Sequence, residues 1–128
     1  MQMSITFPGG VAVAAEFNGH RVLTDQTVPL GGSSAPTPFD LFLASLGTCA
    51  GYYALRFCQE RSLPVDGMGL SLSVERHPET RRLDAVRIEV KLPEGFPEKY
   101  RPAIVRAALQ CSVKKALVDP PVVEVVAL

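Results

Sequence analysis

The chain has 128 residues, 47% of them hydrophobic, and 13 basic side chains balance 13 acidic ones. That size fits one domain spanning 1–128 around one core, and the charge balance argues against a nucleic-acid footprint, so small uncharged molecules are the expected partners. No basic segment followed by a long apolar run opens the chain, the apolar stretch 41–55 is broken by polar residues and shorter than the roughly 20 a membrane span needs, and three cysteines without a short-spaced pair fit a reducing compartment. A soluble cytoplasmic protein without membrane contact is expected.

The first third reads as strand. Pro8-Gly9-Gly10 punctuates, 11–17 is compatible with a strand, and Asn18-Gly19 ahead of His20-Arg21-Val22-Leu23-Thr24 is a two-residue hairpin signal. The connector 25–35 carries Gly31-Gly32-Ser33-Ser34, which lacks the Gly-Lys-Ser/Thr ending of a phosphate loop and reads as a flexible linker.

Thr37-Pro38-Phe39-Asp40 then starts a helix: a Thr N-cap, a Pro at the first helical position and an acid at the third suit the free amides and the dipole. From 41 to 55 no residue is charged, and small residues such as Ala44, Gly47, Ala50 and Gly51 interleave with Leu41, Phe42, Leu46, Tyr52 and Tyr53. A helix apolar all round is expected to be buried on every side, with other backbone close to Cys49 near its middle. Pro64 stops it. Leu70, Leu72 and Val74, then Val86, Ile88, Val90 and Leu92, alternate with polar residues and predict two half-buried antiparallel strands. A second helix is read over 98–110, with Tyr100, Ile104, Ala107, Ala108 and Cys111 on one side, and a short turn ended by Pro120-Pro121 leads to a last strand at 122–128. The fold class is α+β: an antiparallel sheet with a long buried central helix and a second helix. One sheet and one helix leave part of an all-apolar helix uncovered, which predicts burial against another chain.

Cys49 is packing or chemistry, and packing is the commoner role of an unpaired cysteine. A second cysteine, Cys111, is followed by Lys114 and Lys115, and nearby cations lower a thiol pKa. Cys58 lies nine residues beyond Cys49, about 13 Å along one helix, beyond the roughly 7 Å that a disulfide allows between Cα atoms. It reads as core filler. Arg56, seven residues past Cys49, is on nearly the same face and is also placed to pair with Glu60. His20 and His77 are far apart and no CxxC occurs, so no metal site is expected; no cofactor fingerprint or Ser-His-Asp motif is found either.

The run from Pro38 through Asp40, Leu41, Ala44-Ser45-Leu46-Gly47-Thr48 to Cys49, followed about sixty residues later by Cys111-Ser112-Val113-Lys114-Lys115-Ala116-Leu117, resembles the OsmC/Ohr family of thiol peroxidases. The likeness covers nearly the whole chain, the Asn18 to Val22 hairpin and the Gly-Gly connector included. It implies an intertwined homodimer in which Cys49 attacks the peroxide, Cys111 resolves the sulfenic acid as a disulfide, Arg21 holds the thiolate and the peroxide, and a dithiol is the reductant. The hydroperoxide-resistance branch carries a glutamate ten residues before the first cysteine; that position here is Phe39, and Asp40, nine before, serves most economically as the helix cap. Ser112 stands where many relatives have proline.

The expected activity is reduction of hydroperoxides, organic ones above all, in a pocket with walls from Leu46, Tyr52 and Tyr53. The rival is a non-catalytic dimeric module that holds a small apolar ligand and uses both cysteines as packing. The state of the Cys49 thiol separates the two: depressed pKa for the enzyme, ordinary for the module.

Overall fold

The computed structural model describes residues 1–128. Its first strand, β1 (Ser4–Gly9), pairs antiparallel with β2 (Ala12–Phe17), which pairs in turn with β3 (His20–Thr24). Asn18 and Gly19 close the second hairpin at φ 50° and 76°, the left-handed pair that a two-residue turn requires, and Phe17 faces His20 across it.

The connector after β3 is not the flexible linker its composition suggests. Asp25, only 5% exposed, accepts hydrogen bonds from the amides of Gln26, Gly32 and Ser34 and from the Ser34 hydroxyl at 2.6 Å. Those bonds, the Ser34 hydroxyl foremost, hold its carboxyl at about 2 against an ordinary 3.8, despite burial. A Cβ on Gly31 would lie 2.5 Å from both Asp25 Oδ1 and the Gln26 carbonyl, so the loop closes only with glycine there. Composition registered the glycines and serines but not the carboxylate they wrap.

Helix α1 runs over Pro38–Glu60. Asp40 N donates to Thr37 Oγ1 and Thr37 N donates to Asp40 Oδ2, both at 3.1 Å, a reciprocal capping box that fixes the start. Its 23 residues exceed the expected apolar stretch, and by length and composition alone they would cross a membrane, a test that the core helix of a soluble protein also passes.

The chain divides into two compact units, Met1–Ala44 and Ser45–Leu128. In the second, β4 (Gly69–Arg76) and β5 (Leu83–Lys91) form a separate two-stranded sheet rather than a continuation of the first. Leu70 faces Val90, Leu72 faces Ile88 and Val74 faces Val86, so the apolar residues of both strands share one face, as the alternation predicts. Gly47 and Gly51 of α1 sit over this sheet, where an added Cβ would lie 3.5 Å from Leu72 Cδ1 and 3.8 Å from Leu70 Cδ1. The small residues therefore mark where helix and strand approach.

The second predicted helix is split. A 3-10 turn at Glu98–Tyr100 leads into α2 (Arg101–Ala108), and α3 (Ser112–Val118) follows a break at Cys111. Ala54, Phe57 and Cys58 of α1, Phe96, and Ile104 of α2 form the core, with Leu63, Met68, Leu70, Leu92 and Tyr100 around it. Burying Ile104 or Phe57 contributes about 2 kcal/mol each by apolar area.

One expectation fails within the single chain, the last strand, while the incomplete cover of α1 takes the form foreseen. Only the stripe Leu46, Ala50, Ala54, Phe57, Cys58 of α1 is buried, whereas Tyr52 is 56% exposed, because one small sheet and one short helix cover one side of a helix. The expected last strand at 122–128 does not form: a strand needs an edge to pair with, and this segment takes none from its own chain, leaving Val122 and Val125 at least 90% exposed.

Candidate functional site

The break between α2 and α3 brings Cys111 and Ser112 to the middle of α1. Cys111 caps α3, its sulfur accepting from the Lys114 amide at 3.4 Å, and lies 3.9 Å from the Leu46 carbonyl, one turn ahead of Cys49 on α1. Ser112 Oγ is 3.7 Å from Cys49 Sγ. All three cysteines are free; Cys49 is partly exposed, and Cys111 and Cys58 are buried.

The two facing thiols are pushed apart. Burial raises the Cys49 thiol, but hydrogen bonds from the Val113 amide, the Cys111 thiol, and the Ser112 hydroxyl and amide outweigh it and leave the pKa below its ordinary value. Cys111 moves the other way: burial raises it, and its hydrogen bond to Cys49 raises it further, against the amides of Lys114 and Val113. One sulfur thus favours the thiolate while its neighbour, whose thiol donates to the Leu46 carbonyl, keeps its proton. The lysines that follow Cys111 do not depress it, since that thiol is raised; the depression is at Cys49 and comes from amides, a thiol and a hydroxyl, and Lys115 Nζ is engaged with Gln110 Oε1 at 3.0 Å. That pattern escapes a sequence reading, since amides carry no residue signature.

Cys58 is a different environment on the same helix. It is wholly buried against Met68 Sδ at 3.8 Å, and burial raises its pKa more than the Arg61 charge lowers it. The reading of it as core filler fits this packing.

The other predicted residues are distributed as follows. Asp40 is occupied in the capping box. Arg56 donates to Gln59 and Glu60, at 3.0 and 3.2 Å, so the i+4 pairing is the one realised. Arg21 faces Glu16 across β2 and β3 and makes a 3.5 Å ion pair, both side chains 51% exposed. Such an exposed pair contributes at most about 1 kcal/mol and does not lock the guanidinium.

A cavity of about 250 Å³ opens beside Cys111. Leu46, Ala50, Val90 and Ile104 supply apolar wall, and Arg101 and Lys114 bring cations to it. Of the three wall residues expected, Leu46 lines it; Tyr52 and Tyr53 line a separate groove of about 260 Å³ with Arg56, Phe57, Glu60 and Arg61. Tyr52 is turned about 120° around the helix from Leu46, and Tyr53, though on nearly the same face, lies about two turns further along, which the apolar count alone did not separate. No group of three or more His, Cys, Asp or Glu side chains is arranged to hold a metal ion.

Residues 31–126 match the family model described as OsmC-like protein. No curated protein matches the chain by sequence. Among solved structures it is similar to a protein from Psychrobacter arcticus 273-4 described in terms of osmotic stress and the detoxification response, at 21% identity and a TM-score of 0.77, covering 91% of this chain and 87% of that one. It is similar to an OsmC-like protein from Mycoplasma pneumoniae at 10% identity and a TM-score of 0.74, covering 93% and 87%. The organic hydroperoxide resistance protein OhrB of Bacillus subtilis aligns at 20% identity and a TM-score of 0.52, covering 91% and 90%. At these identities the likeness is one of fold.

Proposed function

Since the chain belongs to the OsmC-like family, a family of redox and peroxide-resistance proteins, we propose that it is a cysteine-based peroxidase that reduces organic hydroperoxides at Cys49. The observation that carries the reading is the opposed pair: a partly exposed Cys49 with a lowered pKa beside a buried Cys111 with a raised one. The Cys49 thiolate attacks the terminal peroxide oxygen, breaking the O–O bond; the sulfur is oxidised to a sulfenic acid and the alkoxide leaves as the alcohol on protonation. Cys111 then condenses with the sulfenic acid, forming a disulfide and releasing water, and an external dithiol reduces that disulfide by exchange. Arg21 is proposed to steady the thiolate and the peroxide, its charge suiting both.

The apolar cavity next to Cys111 supports a substrate with an apolar body. At about 25 cal/mol per Å², roughly 80 Å² of buried apolar surface gives about 2 kcal/mol, or about thirtyfold in kcat/KM if retained in the transition state. A homodimer belongs to the same proposal: the exposed face of α1 and the unpaired 122–128 segment each need a covering that one chain does not supply. A cytoplasmic location goes with the free thiols and a dithiol reductant.

The cavity also favours the rival reading, a non-catalytic module for a small apolar ligand. Dithiol-dependent turnover of cumene hydroperoxide decides between them. The peroxidase consumes it faster than hydrogen peroxide and forms one Cys49 to Cys111 disulfide with Cys58 left free; a protein that binds apolar probes without turnover is the module. Light scattering at micromolar concentration reads the dimer, and a stable monomer would remove that part.

A further inference from the structure

We infer that Ser112 is a positioning residue for Cys49, its hydroxyl donating to the Cys49 sulfur across the 3.7 Å between them and holding it as the thiolate. The inference rests on the peroxidase reading for its functional meaning, though not for its geometry.

Serine is among the best N-cap residues, and a Ser at the head of a short helix is ordinarily spent on that helix's own amides. In α3 the cap is one residue earlier: Cys111 Sγ, a weak acceptor, takes the Lys114 amide at 3.4 Å. Ser112 occupies the first helical position, where its hydroxyl has no capping task and meets Cys49 instead. A hydroxyl rotates to suit its neighbour, and beside a thiolate it can only donate. Cys49 is partly exposed and Ser112 exposed, whereas Cys111 is buried, so the hydroxyl meets a sulfur that solvent also reaches. The hydroxyl is also among the groups that lower the Cys49 thiol. The titratable group facing Cys49 from the α2–α3 junction is Cys111, and the charges on the first turn of α3 are Lys114 and Lys115, so removing the hydroxyl leaves every charge in place.

The test is the pH dependence of Cys49 in the full-length protein, read by its reaction with an aromatic disulfide and mapped by mass. Ser112→Ala is expected to raise the Cys49 pKa by about half a unit to one unit, and Ser112→Thr, which keeps the hydroxyl, to restore it. Since a thiolate gains nucleophilicity as its pKa rises, with a Brønsted slope of about 0.4–0.5, the Ala variant reacts more slowly than the parent below the pKa and faster above it, about two- to threefold each way. That crossover is the signature, because a loss of local structure gives no such reversal. An unchanged pKa in Ser112→Ala, or a uniform loss at all pH that Thr does not rescue, overturns the inference. A crossover in a protein that shows no hydroperoxide turnover upholds the Ser112 to Cys49 link and overturns the peroxidase reading instead.

Discussion

Cys49 and Cys58 share one helix and one residue type, yet their surroundings push them in opposite directions. Cys58 has a full positive charge nearby, Arg61, and still has a raised pKa; Cys49 is lowered by amides, a thiol and a hydroxyl, each a weaker group than a guanidinium. The difference is desolvation. A wholly buried sulfur loses its water without gaining donors that touch it, and a charge at a distance does not replace them. A partly exposed sulfur loses less, so a few aimed dipoles are enough. The α1–α3 junction therefore gathers donors on Cys49, and the α1–α2 core packs Cys58 without any.

The largest test of that contrast is to remove each sulfur in turn. Cys49→Ser is expected to lower hydroperoxide turnover by about a thousandfold or more. Cys58→Ser leaves turnover nearly intact and costs about 1–3 kcal/mol of stability, because it buries a hydroxyl among Met68 and its apolar neighbours. A dithiol-coupled assay and urea unfolding of the same two variants read both effects. If Cys49→Ser retains turnover, the assignment of roles to the two regions is wrong.

Next in size is the core around Cys58. Ile104 is 1% exposed, and Ile104→Ala is expected to cost about 2–5 kcal/mol in denaturant unfolding. Because Ile104 also lines the cavity beside Cys111, the same variant sharpens the substrate argument: KM for cumene hydroperoxide changes while that for hydrogen peroxide does not. Equal changes for both peroxides would detach the cavity from the substrate.

Smaller still is the helix cap that the two regions share. Thr37→Ala is expected to cost about 1 kcal/mol and to leave kcat unchanged, since Thr37 and Asp40 satisfy each other's amides. Asp40→Asn, which keeps an acceptor, costs less. A selective fall in kcat with Asp40→Asn would return that carboxylate to the site.

The smallest effect is in pH. Cys58 and Cys111 have folded pKa values above their ordinary 9.0, so both stabilise the fold fully below that value and lose the contribution as pH rises through the raised values. Cys49, lowered, acts in reverse: its contribution is present above the ordinary thiol value and fades as pH falls through the lowered one. Unfolding midpoints measured from pH 7 to 11 should fall at the alkaline end, and Cys58→Ala should flatten that fall. A midpoint that rises instead would reverse the reading of the buried thiols.

How far the sequence reached depends on the range of the interaction. Period-two alternation at 70–74 and 86–92 predicted β4, β5 and their antiparallel pairing, Asn18-Gly19 predicted the hairpin, and Thr37 with Asp40 predicted the start of α1, because strands, tight turns and caps are decided within a few residues. The family was legible for a similar reason: the order and spacing of short motifs survive in the chain itself. Helix geometry alone separated Cys58 from Cys49. Tertiary structure decided the rest. Asp25 became the centre of the connector through contacts with Gly32 and Ser34 that no local pattern encodes, and Tyr52 and Tyr53 left the cavity because the first is turned about 120° from Leu46 and the second lies about two turns beyond it. Above all, what tunes Cys49 is two amides, a thiol and a hydroxyl from residues 111–113, far along the chain, and backbone donors acquire an address only when the chain folds them against their acceptor.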